Sequence, residues 1–205
     1  MNNINILFKK NNILIIIALI ILILYNSYKN KLYEMFETCI PHKYNVETKP
    51  WNNNNYLNFN NCYSYALNEP DITLKKKRYP GMSSNTNRNK NVYTCKYYEQ
   101  LLKSDKPHIV KTNNYNECPC DKPYHMISMV IADGKTPYEK DVGDDFHFYR
   151  LDNNNKWSHK PGSRKVSYTD ANKKEIIDPA LSNHNYSLLD NGSKNYNNFC
   201  GYYCI

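Results

Sequence analysis

The sequence lacks several features that would assign it to a familiar class at once. Its 205 residues contain no internal repeat, which excludes an array of short stacked units. Glycine occurs only 6 times, whereas tyrosine occurs 20 times and asparagine forms strings such as residues 52–55. A chain of this length fits one domain with an appendage.

Dense clusters of basic residues are also missing, although the formal net charge is +8. The one tight run is Lys75-Lys76-Lys77-Arg78, and the other lysines are scattered along the chain. A solvated loop explains such a run better than a nucleic-acid contact does. We therefore expect no nucleic-acid partner.

The N-terminal segment contains one long apolar run, residues 13–25, with no charge inside it. Lysines flank it on both sides, no small-residue cleavage site follows, and no amphipathic stripe marks it as a core helix. The run is shorter than the roughly 20 residues that span a bilayer, but flanking polar residues and snorkelling lysines can extend it. These features predict an uncleaved single-pass anchor whose partner is the lipid bilayer, with its orientation left open.

The sequence predicts three successive regions. Residues 1–30 form the anchor, and residues 31–57 form a polar stalk in which Pro41 and Pro50 interrupt any helix. Residues 58–205 form the folded domain.

Within that domain, helical patterns come first and strand patterns second. The segment "CYSYALNEP", which begins at residue 62, predicts a short helix that ends before Pro70. Residues 92–103 predict a longer helix, and residues 125–132 and 145–151 predict strands. A hairpin turn then leads into a further strand at "WSHKPG", and shorter strand candidates follow at 165–168, 174–178 and 198–205. This order is typical of an α+β fold with an antiparallel sheet.

Seven cysteines leave at least one thiol free if the others pair. The count fits one functional thiol and up to three disulfides. Among Cys95, Cys118, Cys120, Cys200 and Cys204, disulfides and buried free thiols both remain open. The "CPC" at 118–120 with nearby His125 is a weak zinc candidate, because zinc sites usually pair cysteines as C-x2-C and need a second pair. We expect no metal and no cofactor.

Three residues form the candidate catalytic set: Cys62, His147 and His159. Cys62 begins the first predicted helix, where the free N–H groups and the helix dipole favour a thiolate. His147 lies in the middle of a predicted strand and is the candidate base. His159 follows one hairpin later and is the candidate for orienting the ring of His147. His125 is the competing base.

The segments "NCYSYAL", "DFHFYRLDNNNKWSHKPG", "VSYTDANKKEIIDP" and "YNNFCGYYC" resemble a family of small papain-like cysteine hydrolases related to the NlpC-type peptidases. Members occur in large DNA viruses and some bacteria, and the resemblance covers roughly residues 58–204. It implies a papain-like/NlpC-type core, with helices packed on an antiparallel sheet behind the anchor. It also implies that Cys62 is the nucleophile, His147 the base and His159 the orienting residue.

The function expected from this resemblance is membrane-anchored, thiol-dependent hydrolysis of a peptide or acyl substrate, in a virion membrane or host endomembrane. In that case Cys62 should have a lowered pKa and be the most reactive thiol at pH 6. The alternative is a catalytically inactive structural or interaction protein of a virion or membrane, built on the same type of core.

Overall fold

The computed structural model describes residues 15–29, 38–41, 43–44, 50–73, 75–134, 145–188 and 194–205. The chain divides into two compact units, Met1–Thr38 and Cys39–Ile205. In the first unit the described residues 15–29 form a helix, α1, whose side chains are exposed. The second unit carries all the candidate site residues.

The predicted membrane anchor is wrong. Among the described residues, no helix is both long enough and apolar enough to cross a membrane. The described helix covers residues 15–29 and includes Asn26, Ser27 and Lys29 in its last turns, whereas a span requires roughly 20 mainly apolar residues. Of the predicted anchor at residues 1–30, residues 1–14 and 30 lie outside the described residues. The predicted membrane location fails for the same reason.

The second unit contains short helices and a five-stranded antiparallel sheet. The helices are α2 (Asn54–Leu57), α3 (Cys62–Ala66) and α4 (Cys95–Asp105). The strands are β1 (Thr38–Cys39), β2 (Val110–Thr112), β3 (Cys118–Pro119), β4 (Met126–Ala132), β5 (Asp145–Leu151), β6 (Trp157–His159) and β7 (Asn198–Cys204). Two short 3-10 turns cover Pro179–Leu181 and Tyr186–Leu188.

The sheet has the strand order β2-β7-β4-β5-β6, and every neighbouring pair is antiparallel. The fold class predicted from the sequence, a papain-like/NlpC-type core behind a transmembrane helix, is therefore corrected. The structure is an α+β domain around a five-stranded sheet, without a membrane-spanning helix among the described residues.

Alternation along β5 separates two apolar clusters, because successive side chains of a strand point to opposite faces. Phe146 and Phe148 belong to the cluster that contains α3 and α4, which we call the helix face of the sheet. Tyr149 and Leu151 belong to the cluster on the other side, with Trp157 of β6. We call this second side the cleft face. His147 lies between Phe146 and Phe148 and therefore faces the cleft side.

A β-bulge in β7 redirects one cysteine toward the helix face. Met129 of β4 is opposite Gly201, but Val130 is opposite Phe199, so Cys200 is the extra residue. Gly201 has φ of +131°, a conformation that glycine adopts without a Cβ clash. Cys200 forms a disulfide with Cys95, the first residue of α4.

A buried polar network holds α3 against β5 and β6. The guanidinium of Arg150 donates to Asp152 Oδ1 from Nε at 2.8 Å and to the Tyr65 hydroxyl from Nη2 at 3.0 Å. The Tyr65 hydroxyl is 2.7 Å from Ser158 Oγ. The Arg150–Asp152 ion pair is almost inaccessible, with side-chain exposures of 1% and 0%. Each charge is thus paired, as burial requires.

Candidate functional site

Cys62 is the first residue of α3, and Asn61 caps that helix. The Asn61 side chain accepts from the Ser64 N–H at 3.2 Å and donates to the Arg78 carbonyl at 2.7 Å. An extended N-cap with a side-chain acceptor is what begins a helix at this position. The predicted placement of Cys62 at a helix N-terminus is confirmed.

The Cys62 thiol is enclosed and does not lie on an open surface. Cys62 is 4% exposed, and its Sγ donates to the Phe146 carbonyl at a sulfur–oxygen distance of 3.8 Å. β5 pairs with β6 through Tyr149, Arg150 and Leu151, so Phe146 lies beyond that ladder. The sulfur therefore contacts the main chain of β5 next to His147.

Burial raises the pKa of the Cys62 thiol to about 12, and the negative charge of Asp145 contributes in the same direction. The main-chain N–H groups of Phe148 and Tyr63 and the charge of Lys160 favour the thiolate, but their effects are smaller. The direction is opposite to the lowered pKa expected from the sequence. A helix of five residues offers a short dipole, and it does not offset the cost of a buried anion.

His147 and His159 are brought together as predicted. Tyr149 of β5 is opposite His159 of β6, so His147 and His159 are diagonal neighbours on the cleft face. His147 Nε2 lies 2.7 Å from His159 Nδ1, and the two side chains belong to residues that are 3% and 1% exposed. His159 Nε2 lies 3.1 Å from the carbonyl oxygen of Thr169.

These two contacts assign the protons of the histidine pair. A carbonyl oxygen can only accept, so His159 donates to Thr169 from Nε2 and its Nδ1 is an acceptor when the ring is neutral. His147 must then donate from Nε2, which leaves His147 Nδ1 without a proton. Burial lowers the pKa of His159 to about 4. Burial, and then the neighbouring His159 and His184, hold the pKa of His147 well below its usual range.

The third member of the predicted set does not bond to this pair. Among the described residues, no hydrogen bond joins the Cys62 thiol to His147 or to His159. Cys62 packs in the cluster of the helix face, whereas the imidazole of His147 faces the cleft side. The structure thus joins the predicted base and its orienting residue, and gives the predicted nucleophile a main-chain partner.

His125, the competing base, serves the other end of α3. Its Nε2 is 3.0 Å from the carbonyl of Ala66, the last residue of α3. A donor at this position satisfies a carbonyl that the helix leaves unpaired. His125 therefore contacts the opposite end of the helix from Cys62.

The two histidines form part of the floor of a cleft of about 540 Å³. The cleft also contains Asp145, Tyr186 and Tyr196, which the sequence analysis did not single out. An isolated bridge between Asn185 and Asn195 brings the two tyrosines together from separate turns. No local pattern marks such a contact in the sequence.

Lys160 follows His159 and is fully buried. Its Nζ donates to three carbonyl oxygens, those of Leu57 at 2.9 Å, Asn60 at 2.6 Å and Gly162 at 2.8 Å. Burial lowers the pKa of Lys160 to about 8. One ammonium group thereby joins the end of α2, the residues before Cys62 and the turn after β6.

Three disulfides use six of the cysteines and leave Cys62 free. The pairs are Cys39–Cys120, Cys95–Cys200 and Cys118–Cys204. The pair with Cys39 was not among those considered from the sequence. Cys118 and Cys120 belong to different disulfides, so the "CPC" zinc candidate is replaced by covalent bonds. Among the described residues, no group of three or more metal-ligating side chains is present.

The chain is similar to Insoluble matrix shell protein 1 of Ruditapes philippinarum. The two are 33% identical over 129 residues, which make up 63% of this chain and 74% of the relative. The chain belongs to the family of this shell matrix protein. No protein-family model matches the chain, and no solved structure matches it. The resemblance of this family member to papain-like hydrolases therefore stays a prediction.

Proposed function

We propose that this chain is a non-catalytic, disulfide-stabilised structural protein that acts by binding other components of an assembly. The state of Cys62 carries the proposal. Its thiol is buried, donates to a main-chain carbonyl and has a pKa raised to about 12. The nucleophile of a thiol-dependent hydrolase is the thiolate, and this environment favours the neutral thiol.

Membership in a family with an insoluble shell matrix protein supports the same proposal. Three disulfides within the folded unit support it further, because such bonds persist in oxidising compartments. A matrix component has to remain folded for long periods, and disulfides that close long loops favour this.

Alkylation of the native protein tests the proposal cleanly, because Cys62 is the one free cysteine. Iodoacetamide is added at neutral pH to the native chain and to the chain unfolded in guanidinium with its disulfides intact. Intact mass reports the rate. We expect labelling at least about 100-fold slower in the native chain, since the burial and raised pKa of Cys62 both oppose attack. Native labelling that is faster than unfolded labelling would contradict the proposal.

A second candidate function is thiol-dependent hydrolysis, and the proton arrangement of the histidine pair favours it. His147 Nδ1 is the acceptor that a base requires, and His159 fixes its tautomer. In this reaction the thiol proton would move to His147 as sulfur bonds to the substrate carbonyl carbon. The leaving amine or alcohol would take that proton, and water would then release the acyl group.

An ester and peptide hydrolysis assay separates the two functions. The hydrolase candidate requires turnover that Cys62→Ala and His147→Ala both abolish while the fold is retained. The structural proposal expects equal background rates in the parent chain and both variants. Circular dichroism provides the control for folding.

A further inference from the structure

The cleft on the histidine side has a basic rim. Arg164, Lys165, Lys173 and Lys194 all line it. Among the described ion pairs, none involves the three lysines. The charge of Lys194 nevertheless acts on Asp145 of the same cleft, where it opposes the burial that raises the pKa of that carboxyl.

The two carboxylates in the cleft are already engaged. Asp170 accepts from three main-chain N–H groups, those of Asn172 at 2.9 Å, Lys174 at 3.0 Å and Asn183 at 3.1 Å. These bonds shape the turn in which Lys173 has φ of +61°, and so they place Lys173 at the rim. Asp145 accepts from the Tyr196 hydroxyl at 2.9 Å.

The floor of the cleft is polar but carries no positive charge at neutral pH. Burial lowers the pKa values of His147 and His159. Tyr186 and Tyr196 add aromatic surface beside them, with ring centroids 5.6 Å from His159 and 5.3 Å from His147 respectively. A volume of about 540 Å³ lies in the range of ligand-binding clefts, roughly 300–1,000 Å³.

This arrangement selects among anionic ligands. A ligand with a sulfate or phosphate on every unit would bring negative charge against Asp145 as well as against the lysines. A peptide can present carboxylates to the rim and a main-chain N–H group to Asp145. The mixed lining therefore suits a peptide better than a uniformly charged polymer.

We propose that this cleft binds an acidic peptide segment, with aspartate or glutamate side chains on Lys165, Lys173 and Lys194 and the peptide main chain beside Asp145. The proposal rests on the proposed non-catalytic function, for which it names the class of partner and the binding site.

Fluorescence anisotropy with a labelled hexa-aspartate peptide tests the cleft, with hexa-asparagine as the uncharged probe. The full chain carries Cys62→Ala in all arms, so that no thiol reaction contributes. Replacing Lys165, Lys173 and Lys194 together by Gln should weaken hexa-aspartate binding by about tenfold or more. The uncharged hexa-asparagine peptide should bind neither the parent chain nor the lysine variant.

The matched control replaces Lys90, Lys96 and Lys103 together by Gln. These lysines are exposed and lie on α4 or just before it, and α4 packs on the helix face of the sheet. The control changes net charge by the same amount and should alter binding by less than about twofold. Equal weakening by both triple variants would mean that binding follows net charge, and would overturn the proposal.

Two further outcomes would also overturn it. One is no binding of hexa-aspartate even at low salt. The other is competition in which a sulfated oligosaccharide binds the cleft more tightly than the peptide does. Cleavage of the peptide by the parent chain with Cys62 intact would instead overturn the non-catalytic function and leave the binding site standing.

Discussion

The two faces of the central sheet differ in what their buried residues do. On the helix face, Phe146 and Phe148 pack with α3 and α4, and Cys95–Cys200 adds a covalent bond. On the cleft face, His147 of the same strand lines the cleft. The ring of Tyr149 packs against the ring of His147. One strand therefore packs against the helices with alternate residues. On its other face it contributes His147 to the candidate site and Tyr149 and Leu151 to a second apolar cluster.

The comparison also explains the position of Cys62. The residue begins a helix on the packing face, and its sulfur donates to the main chain of the strand that carries His147. Burial that stabilises the helix face also suppresses the thiolate. The four predictions below test this division, beginning with the largest expected effect.

Removing the Cys95–Cys200 disulfide on the helix face should lower the free energy of unfolding the most. The double change Cys95→Ala and Cys200→Ala opens a loop with a sequence separation of 105 residues. We expect the free energy of unfolding to fall by about 4–5 kcal/mol, measured by urea denaturation. Cys62→Ala, which breaks no disulfide, is the control. A loss below about 1 kcal/mol would show that noncovalent packing alone secures this face.

Lys160→Met should have a smaller effect than the loss of this disulfide. The variant leaves the carbonyls of Leu57, Asn60 and Gly162 without their donor, and we expect a loss of about 2–3 kcal/mol. Lys156→Met is the matched control, because Lys156 forms an exposed ion pair with Glu175. That control should lower the free energy of unfolding by less than about 1 kcal/mol. Equal losses of unfolding free energy in the two variants would show that the buried ammonium of Lys160 stabilises the fold no more than an exposed lysine does.

The histidine pair should make stability depend on pH. The pKa of His159 is about 4 in the folded chain, against an ordinary value near 6.5. The unfolded chain therefore binds more protons between these values, so the free energy of unfolding falls as pH decreases from about 6.5 to 4. The loss due to His159 is on the order of 3 kcal/mol.

Thermal unfolding across this pH range checks the prediction in the parent chain and in His159→Gln. The variant should lose less stability on acidification. The raised pKa of Asp145 acts in the opposite direction in both chains. The difference between them therefore reports the histidine pair, since His159 also lowers the pKa of His147. Identical slopes in parent and His159→Gln would refute the assignment.

Cys62→Ala should have the smallest effect. Loss of one buried sulfur atom removes a weak hydrogen bond and a small packing contact. We therefore expect the free energy of unfolding, measured by urea denaturation, to fall by about 1 kcal/mol or less. Cys62→Ser is the companion variant, since its hydroxyl can still donate to Phe146. A loss above about 3 kcal/mol in both would identify Cys62 as a central packing residue of the helix face.

Local patterns were enough to predict much of the sheet and the start of α3. Alternation in β5 and the short turn after it predicted a hairpin that places His147 and His159 on one face, and the 2.7 Å contact confirms it. Helix α4 begins at Cys95 and not at Val92, because the Thr94 side chain caps it by accepting from Tyr97 N–H. The strands expected at 165–168 and 174–178 are isolated bridges only.

The features that sequence patterns did not predict depend on contacts between residues that are far apart in the sequence. The disulfide pairing follows from a bulge at Cys200 and from the return of Cys39 to Cys120, and neither is visible in a local pattern. The burial of Cys62 depends on Phe146 and Phe148, more than 80 residues away. The apolar run at 13–25 predicted a membrane span because hydropathy reports composition, whereas no helix among the described residues is both long and apolar enough to cross a membrane.

The disulfides also define how the chain would carry mechanical load. A pull on the residues before Cys39 reaches Cys120 through one disulfide, passes along the main chain to Cys118, and enters β7 through Cys118–Cys204. This path is covalent from end to end. Residues 40–117, which include α3 and Cys62, form a loop outside it. Tension applied at the N-terminal side would therefore be borne by the C-terminal strand of the sheet.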